Sequence, residues 1–295
     1  MNFNKIAIFV TLFSLWLTNY FSGSGQEIVA FSLIFSVGIL HGSNDLAIMN
    51  KLQSVSGIRK IATILGSYIL IVVIAGGLFY LLPKLALAGF ILFSAYHFGE
   101  QHWEDTISKA SVRLIKLSYL SYGMLILCLL FYMNTAETQD IITALTGQLI
   151  PQTWFLYGLV TAGVVFVFSM LYFLLKKYIE YSRLLFEAFL LLVLSIVFKY
   201  ADLIWAFAIY FIYWHSIPSI FGQLKYLYGD VSFGSFKRYL KSSSLIWVIS
   251  VSSMLLLFYL FRDNEEVIMP LFFAFLGAIT FAHSFIISKM FAAGK

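Results

Sequence analysis

Apolar runs close to the ~20 residues needed to span a ~30 Å hydrocarbon core recur along nearly the whole chain, each separated from the next by a short polar stretch. Ten such runs are predicted, near 5–21, 27–41, 61–82, 86–102, 112–133, 153–175, 184–199, 201–222, 244–262 and 267–290. Lipid offers no partner to an open backbone amide, and no strand-like alternation supports a barrel, so each run is expected to be a helix. Pro83 and Lys84 mark a tight turn between the third and fourth runs, and Asp202 one between the seventh and eighth. The first run resembles a signal peptide in its preceding lysine. No convincing small-residue cleavage site follows it, so it is read as a transmembrane helix. Only 11% of the 295 residues are charged, whereas a soluble domain of this size would need about a quarter. The mean hydropathy of +0.91 points the same way. The fold class expected is all-α: a polytopic transmembrane bundle of about ten helices, forming one integral membrane domain over 1–295 in the cell membrane.

Charge placement tests that layout independently. With a cytoplasmic N-terminus, only Lys84, Lys199 and Arg262 of the 19 lysines and arginines fall on the outer side. The inner side holds Lys5, Lys51, Arg59, Lys60, Lys109, Arg113, Lys116, Lys176, Lys177, Arg183, Lys225, Lys237, Arg238, Lys241, Lys289 and Lys295. One missed helix would invert every later loop, so the asymmetry favours an even number of spans with both termini cytoplasmic. The same scatter of basic residues over short loops argues against nucleic acid as a partner, despite the net charge of +5. The loop 134–152 has acids and no Lys or Arg, as an external connection would. The loop 223–243 is the largest internal one. A single cysteine, Cys128, leaves no thiolate metal site or disulfide framework to build.

All five histidines fall toward the same ends of even-numbered runs: His41, His97, His102, His215 and His283. An ionisable ring at membrane depth normally faces a partner or cavity inside the bundle. Five at one level point to a shared metal ion, and an imidazole-rich site with open positions suits iron(II) and dioxygen better than structural zinc. Each residue also has a plainer explanation. His41 can be an interfacial helix end with Gly42 as its cap, and His102 an interfacial residue beside Trp103. His283 can be a buried histidine hydrogen-bonded to a neighbouring helix. Spaced by five, His97 and His102 lie about 140° apart on a regular helix, so both can serve one ion only if the helix breaks near Gly99. Pro218 is expected to kink the helix beside His215. Asp45, four residues after His41, is either an outer carboxylate fixing a ligand's tautomer or a solvated loop acid. Flanking these positions, Tyr96, Phe98, Trp103, Trp205, Phe207, Tyr210, Phe211, Tyr213 and Trp214 either line a tunnel for a lipophilic substrate or are ordinary membrane-core aromatics.

At these residues the chain resembles the Brp/Blh family of membrane β-carotene 15,15'-dioxygenases. The elements in common are His-Gly-x-x-Asp at His41 to Asp45, His-Phe-Gly at His97 to Gly99, Trp-His-Ser at Trp214 to Ser216, and a late helix bearing His283. The resemblance implies iron(II) held by histidines, O2 and a carotenoid as substrates, and retinal as product, with a functional link to a rhodopsin; lateral entry of the carotenoid from membrane lipid is expected with it. It carries ligand roles onto His41, His97 and His215. The family pattern has a further histidine four residues after the last of these, where this chain has Ser219. His102, His283 or water is then left to fill that place.

Other classes compete. Di-iron hydroxylases and desaturases need about eight clustered histidines, which five cannot supply. A cytochrome b-like haem protein would pair axial histidines across helices. A transporter with a proton relay would show intramembrane acids or broken helices in both halves, of which Glu187 with Pro218 is a slight version.

Overall fold

The computed structural model describes residues 3–21, 23–53, 58–107 and 110–293. Among these there is no strand. Helices run in the order α1 (Phe3–Thr18), α2 (Gly23–Leu33), a π-helical turn (Ile34–Gly38), α3 (Ile39–Gly42), α4 (Asp45–Leu52), α5 (Ile58–Leu81), α6 (Pro83–Trp103), α7 (Val112–Met133) and α8 (Thr135–Thr146). They continue as α9 (Gln152–Leu175), α10 (Tyr181–Tyr200), α11 (Leu203–Tyr210), a second π-helical turn (Phe211–Ser216), α12 (Ile217–Tyr228), α13 (Phe233–Leu260) and α14 (Glu265–Ala293). Seven helical stretches among the described residues are long and apolar enough to cross a membrane, and Phe3–Thr18 and Leu65–Leu81 are shorter apolar helices.

The helical class is as expected; of the ten predicted runs, seven correspond to stretches long and apolar enough to span, and the other differences lie at helix ends. The acidic loop after α7 contains a helix of its own, α8, and α12 and α13 extend into the predicted 223–243 loop until about four residues separate them. Of the cationic residues used for orientation, Lys109 and Lys295 lie outside the described residues, as do the side chains of Arg59 and Lys60.

The chain forms two compact units. The first comprises 1–34, 94–140 and 149–216. Its centre is α7, held to the end of α6 through two glycines. A methyl group at Gly99 would collide with the carbonyl of Tyr119, and one at Gly123 with the carbonyl of Ala95. Small residues that let backbones meet are the usual means of helix association where lipid removes the hydrophobic driving force. On its other side α7 packs along α9, where a Cβ at Gly158 would come within 2.8 Å of Cys128 Sγ. Helix α1 presents a buried polar stripe at helical spacing. Thr11 and Thr18 accept from Trp214 Nε1 (3.0 Å) and Trp205 Nε1 (3.1 Å), and Ser14 donates to the Tyr213 hydroxyl (3.3 Å).

The start of α11 leaves amides without helical partners, and side chains supply them. The Asp202 N–H donates to Gln26 Oε1 (3.1 Å) and the Leu203 N–H to Glu137 Oε2 (2.8 Å). Partial burial, and after it the carboxylates of Asp202, Glu27 and Asp140, raise the Glu137 carboxyl above its ordinary range, against the opposing Leu203 N–H. A carboxyl raised in the folded state makes its ionisation oppose folding. That penalty is complete above the folded value and absent below the unfolded one. Glu137→Gln keeps an acceptor for Leu203 and removes the charge. It is expected to melt higher than the wild type in detergent at neutral pH, and the gap should close as pH falls through the folded value.

The second unit comprises 35–93, 141–148 and 217–295. Helix α14 packs along α5, with Gly277 of α14 set against the Phe79 ring, and α4 packs against α14 around Ile48, Ile286, Ile287 and Met290. Between α3 and α4 the helix is interrupted at Ser43 and Asn44. Neighbouring helices satisfy the groups this exposes. Gln223 Nε2 donates to the His41 carbonyl (2.7 Å), Tyr239 donates its hydroxyl to Gln223 Oε1 (3.0 Å), and Asn44 Nδ2 donates to the Tyr239 carbonyl (3.1 Å).

Candidate metal centre

In the first unit, His97 on α6 and His215 in the second π-helical turn are both buried, with ring centroids 4.7 Å apart and planes nearly perpendicular. Each offers a ring nitrogen within 4.8 Å of the other's. The π-helical turn is how the backbone accommodates His215. One extra residue per turn shifts the register before Pro218, so a helical bulge appears where the sequence predicted a kink, and such bulges recur at functional sites. His215 stacks on Phe211 (5.5 Å, 18°) and lies against Phe98 (4.6 Å); Phe211 in turn stacks on Phe207 (5.0 Å, 13°), and Tyr210 meets Phe98 edge to face (5.5 Å).

In the second unit, His41 on α3 follows the other π-helical turn. Its ring meets His283 of α14 at 4.7 Å, at 89° between planes, and both are buried. Each ring is oriented by an acceptor at Nδ1. His41 Nδ1 donates to the carbonyl of Gly38, and His283 Nδ1 donates to Asp45 Oδ1 at 2.8 Å. A carbonyl or carboxylate there fixes the tautomer, so the lone pair of both rings sits on Nε2, the arrangement typical of metal-ligating histidines. Asp45 also accepts from the Tyr68 hydroxyl (3.3 Å) and is itself buried. Its carboxylate therefore meets a histidine, but that histidine is His283, 238 residues away, and not its neighbour His41. Gly42 is the last residue of α3 and not its cap, which is Ser43, and α4 begins at Asp45.

The fit of such pairs to an ion follows from geometry. Imidazoles bound through nitrogen at ~2.1 Å to adjacent positions of one ion have ring centroids roughly 4.5–5.3 Å apart. Both observed separations fall in that range. The donor set is neutral nitrogen without thiolate, which suits iron, copper or zinc in chemistry.

His102 is not paired with His97. Helix α6 runs unbroken through Gly99 to Trp103, so the 140° offset persists and turns His102 to α10. There its Nε2 lies 3.0 Å from both carboxylate oxygens of Glu187, which also pairs with Arg183 (2.9 Å). Its ring stacks on Tyr122 (4.6 Å, 16°), and the Arg183 guanidinium lies over Trp103 (5.0 Å). The break near Gly99 on which a shared ion with His97 depended is therefore not present, and the cluster ties α6 to α10.

Among the aromatic candidates, Phe98 and Tyr210 stand at the histidine pair, together with Phe207 and Phe211. Trp103 is packed on Tyr122 and Phe166, Tyr213 faces Ser14, Trp214 faces Thr11, and Tyr96 donates to Glu100 (3.3 Å). Gln223 and Tyr239, which hold the His41 backbone, had no signal in the sequence beyond being polar residues in largely apolar surroundings.

Long apolar helices carrying buried, perpendicular imidazole pairs define a membrane protein equipped to bind a metal through nitrogen. Residues 32–291 match the family of beta-carotene 15,15'-dioxygenase, and the chain belongs to that family, as the histidine motifs had implied. No curated protein and no solved structure matches the chain.

Proposed function

We propose that this chain cleaves the central 15,15' double bond of β-carotene with O2 to give two molecules of retinal, and that His41, His97 and His215 together hold the iron(II) on which the reaction depends. The family match over 32–291 carries this reading. It is supported by the chemistry of the donor set, since all three of these histidines are buried and neutral imidazole is the commonest protein ligand of metals. The balance closes without a reductant: the double bond is consumed, and both oxygen atoms of O2 become aldehyde oxygens. Bound iron(II) supplies the access to O2 that side chains lack. The chain's own residues do the rest. Gly38 holds His41 in the Nε2-basic tautomer, and Phe98, Phe207, Tyr210 and Phe211 offer an apolar, aromatic wall against which a rigid polyene lies flat and from which water is excluded. The same reading takes the protein to the cell membrane as a multi-pass bundle of about ten spans with cytoplasmic termini, delivering retinal to a rhodopsin.

Expression in β-carotene-producing cells supplied with iron, followed by chromatography of extracted pigment, tests this. Loss of β-carotene with stoichiometric retinal is expected. Unchanged β-carotene, or a longer apocarotenal in place of retinal, with the protein present in the membrane fraction, defeats the assignment.

A further inference from the structure

Helix α13 buries less of itself than any other spanning stretch among the described residues. It nonetheless grips one short segment of its own compact unit, residues 35–44, from both ends. At the near end Trp247 Nε1 donates to the carbonyls of Phe35 (2.8 Å) and Ser36 (3.1 Å). At the far end Ser242 Oγ donates to Asn44 Oδ1 (2.5 Å), and Asn44 Nδ2 donates to the Tyr239 carbonyl (3.1 Å). The Phe35 ring also meets Phe258 of α13 (6.0 Å), and Val37 and Leu40 pack on the cluster of Ile220, Leu224 and Tyr239.

Between the two grips lies His41, and the backbone is irregular on either side of it. The π-helical turn Ile34–Gly38 precedes it, and the interruption at Ser43 and Asn44 follows. A regular helix aims its own side chains. Here the direction of the ring depends on whatever holds the irregular backbone in place. A tryptophan at a membrane boundary ordinarily turns its N–H to water or headgroups. Trp247 gives it instead to two successive carbonyls of the π-helical turn. A carbonyl has two lone pairs, so this bond adds to those of the turn's own amides and does not compete with them. In surroundings of low dielectric it is also stronger than in water. The turn ends at Gly38, whose carbonyl receives the His41 Nδ1 proton.

From this geometry we infer that Trp247 is a positioning residue for His41. Its indole N–H keeps the extra residue of the π-helical turn at Ile34–Gly38, which aims the Gly38 carbonyl at Nδ1 and leaves Nε2 as the basic nitrogen. The inference rests on the proposed role of His41 as a ligand and concerns a residue remote in sequence that touches neither metal nor substrate. Without the N–H the extra residue is released to shift along the helix, the Gly38 carbonyl turns away, and the ring is left to exchange between its two tautomers.

Full-length protein labelled with 15N-histidine and stripped of metal tests this by NMR, with His41 assigned from the signal that His41→Ala lacks. In the wild type His41 should show one form, protonated at Nδ1. Trp247→Phe keeps an aromatic ring and removes the donor. It should melt near the wild type, show a second form of His41 protonated at Nε2, and, with iron restored, cleave β-carotene with kcat ~10-fold lower and KM unchanged. Benzothienylalanine at position 247, which has the shape of tryptophan with sulfur in place of the N–H, should do the same. A purely structural role predicts a lower melting temperature with His41 still in one form. One form of His41 in both variants overturns the inference, whatever the retinal yield, and so does an unchanged kcat beside a shifted tautomer. Wild type that makes no retinal brings down the proposed function, and the tautomer of His41 then decides by itself whether Trp247 positions the ring. If Trp247→Phe does not fold, the benzothienylalanine protein decides; if that also fails to fold, the indole is structural and the inference is overturned.

Discussion

Replacing His97 or His215 by alanine is expected to leave β-carotene intact in carotene-producing cells, with retinal down by more than about 100-fold. Changing a partner of a metal ligand typically costs ~10–100-fold in affinity or activity, and removing the ligand itself should exceed that. Alanine also empties an aromatic stack, so loss of activity by itself does not distinguish ligation from packing. His215→Phe does. A phenyl ring retains the stacking on Phe211 and the contact with Phe98 but has no lone pair. It should therefore melt near the wild type in detergent and yet bind no iron and make no retinal. Tyr213→Phe is the contrasting control: it removes only a hydroxyl that meets Ser14 on α1, and should leave retinal yield unchanged. Wild-type yield from His215→Phe would remove this ring from the site.

The second large effect is expected at Gly99 and Gly123. Each lies against a backbone carbonyl of the other helix, and backbone cannot move aside as a flexible side chain does. Overpacking of a core ordinarily costs about 1–3 kcal/mol, and a methyl group driven into a carbonyl should reach the upper end or beyond. Either glycine replaced by alanine should therefore lower the melting temperature and, because α6 carries His97 two residues before Gly99, reduce retinal yield as well. The double variant should cost less than the two single changes added, since helices already pushed apart have room for the second methyl. Gly76→Ala in α5 provides the comparison. Nothing lies within 4 Å of its added Cβ, so alanine should be neutral or gain up to ~1 kcal/mol from helix propensity. A Gly99→Ala variant as stable as the wild type would refute the close crossing of α6 and α7.

The same residues separate what local sequence encodes from what it does not. Runs of apolar residues are legible from composition alone, because lipid demands internally satisfied backbone whatever the neighbours are. His97 and His215 stand out for a related reason: an imidazole in such a run is costly and needs a cause. Gly99 is visible in the sequence only as a letter of a motif. Its use, admitting α7 to contact, depends on where Tyr119 sits and has no trace in local spacing. Helix ends are the least legible part. A π-helical turn at Ile34–Gly38 and another at Phe211–Ser216 replace the simple end and the proline kink that the pattern implied, since both depend on how partner helices accept the displaced backbone groups.

The histidine partners divide along the same line. That His102 could not join His97 without a broken helix is a property of 3.6 residues per turn and follows from a spacing of five. Whether α6 breaks, and that His102 goes to Glu187 while Asp45 goes to His283 and not to His41, are matters of which helices pack together. Helical state, membrane solvent and the supply of imidazoles follow from the order of residues, because each arises from interactions within one segment and between that segment and lipid. Which imidazole meets which carboxylate follows from contacts between segments up to 238 residues apart, and no periodicity in the chain encodes those.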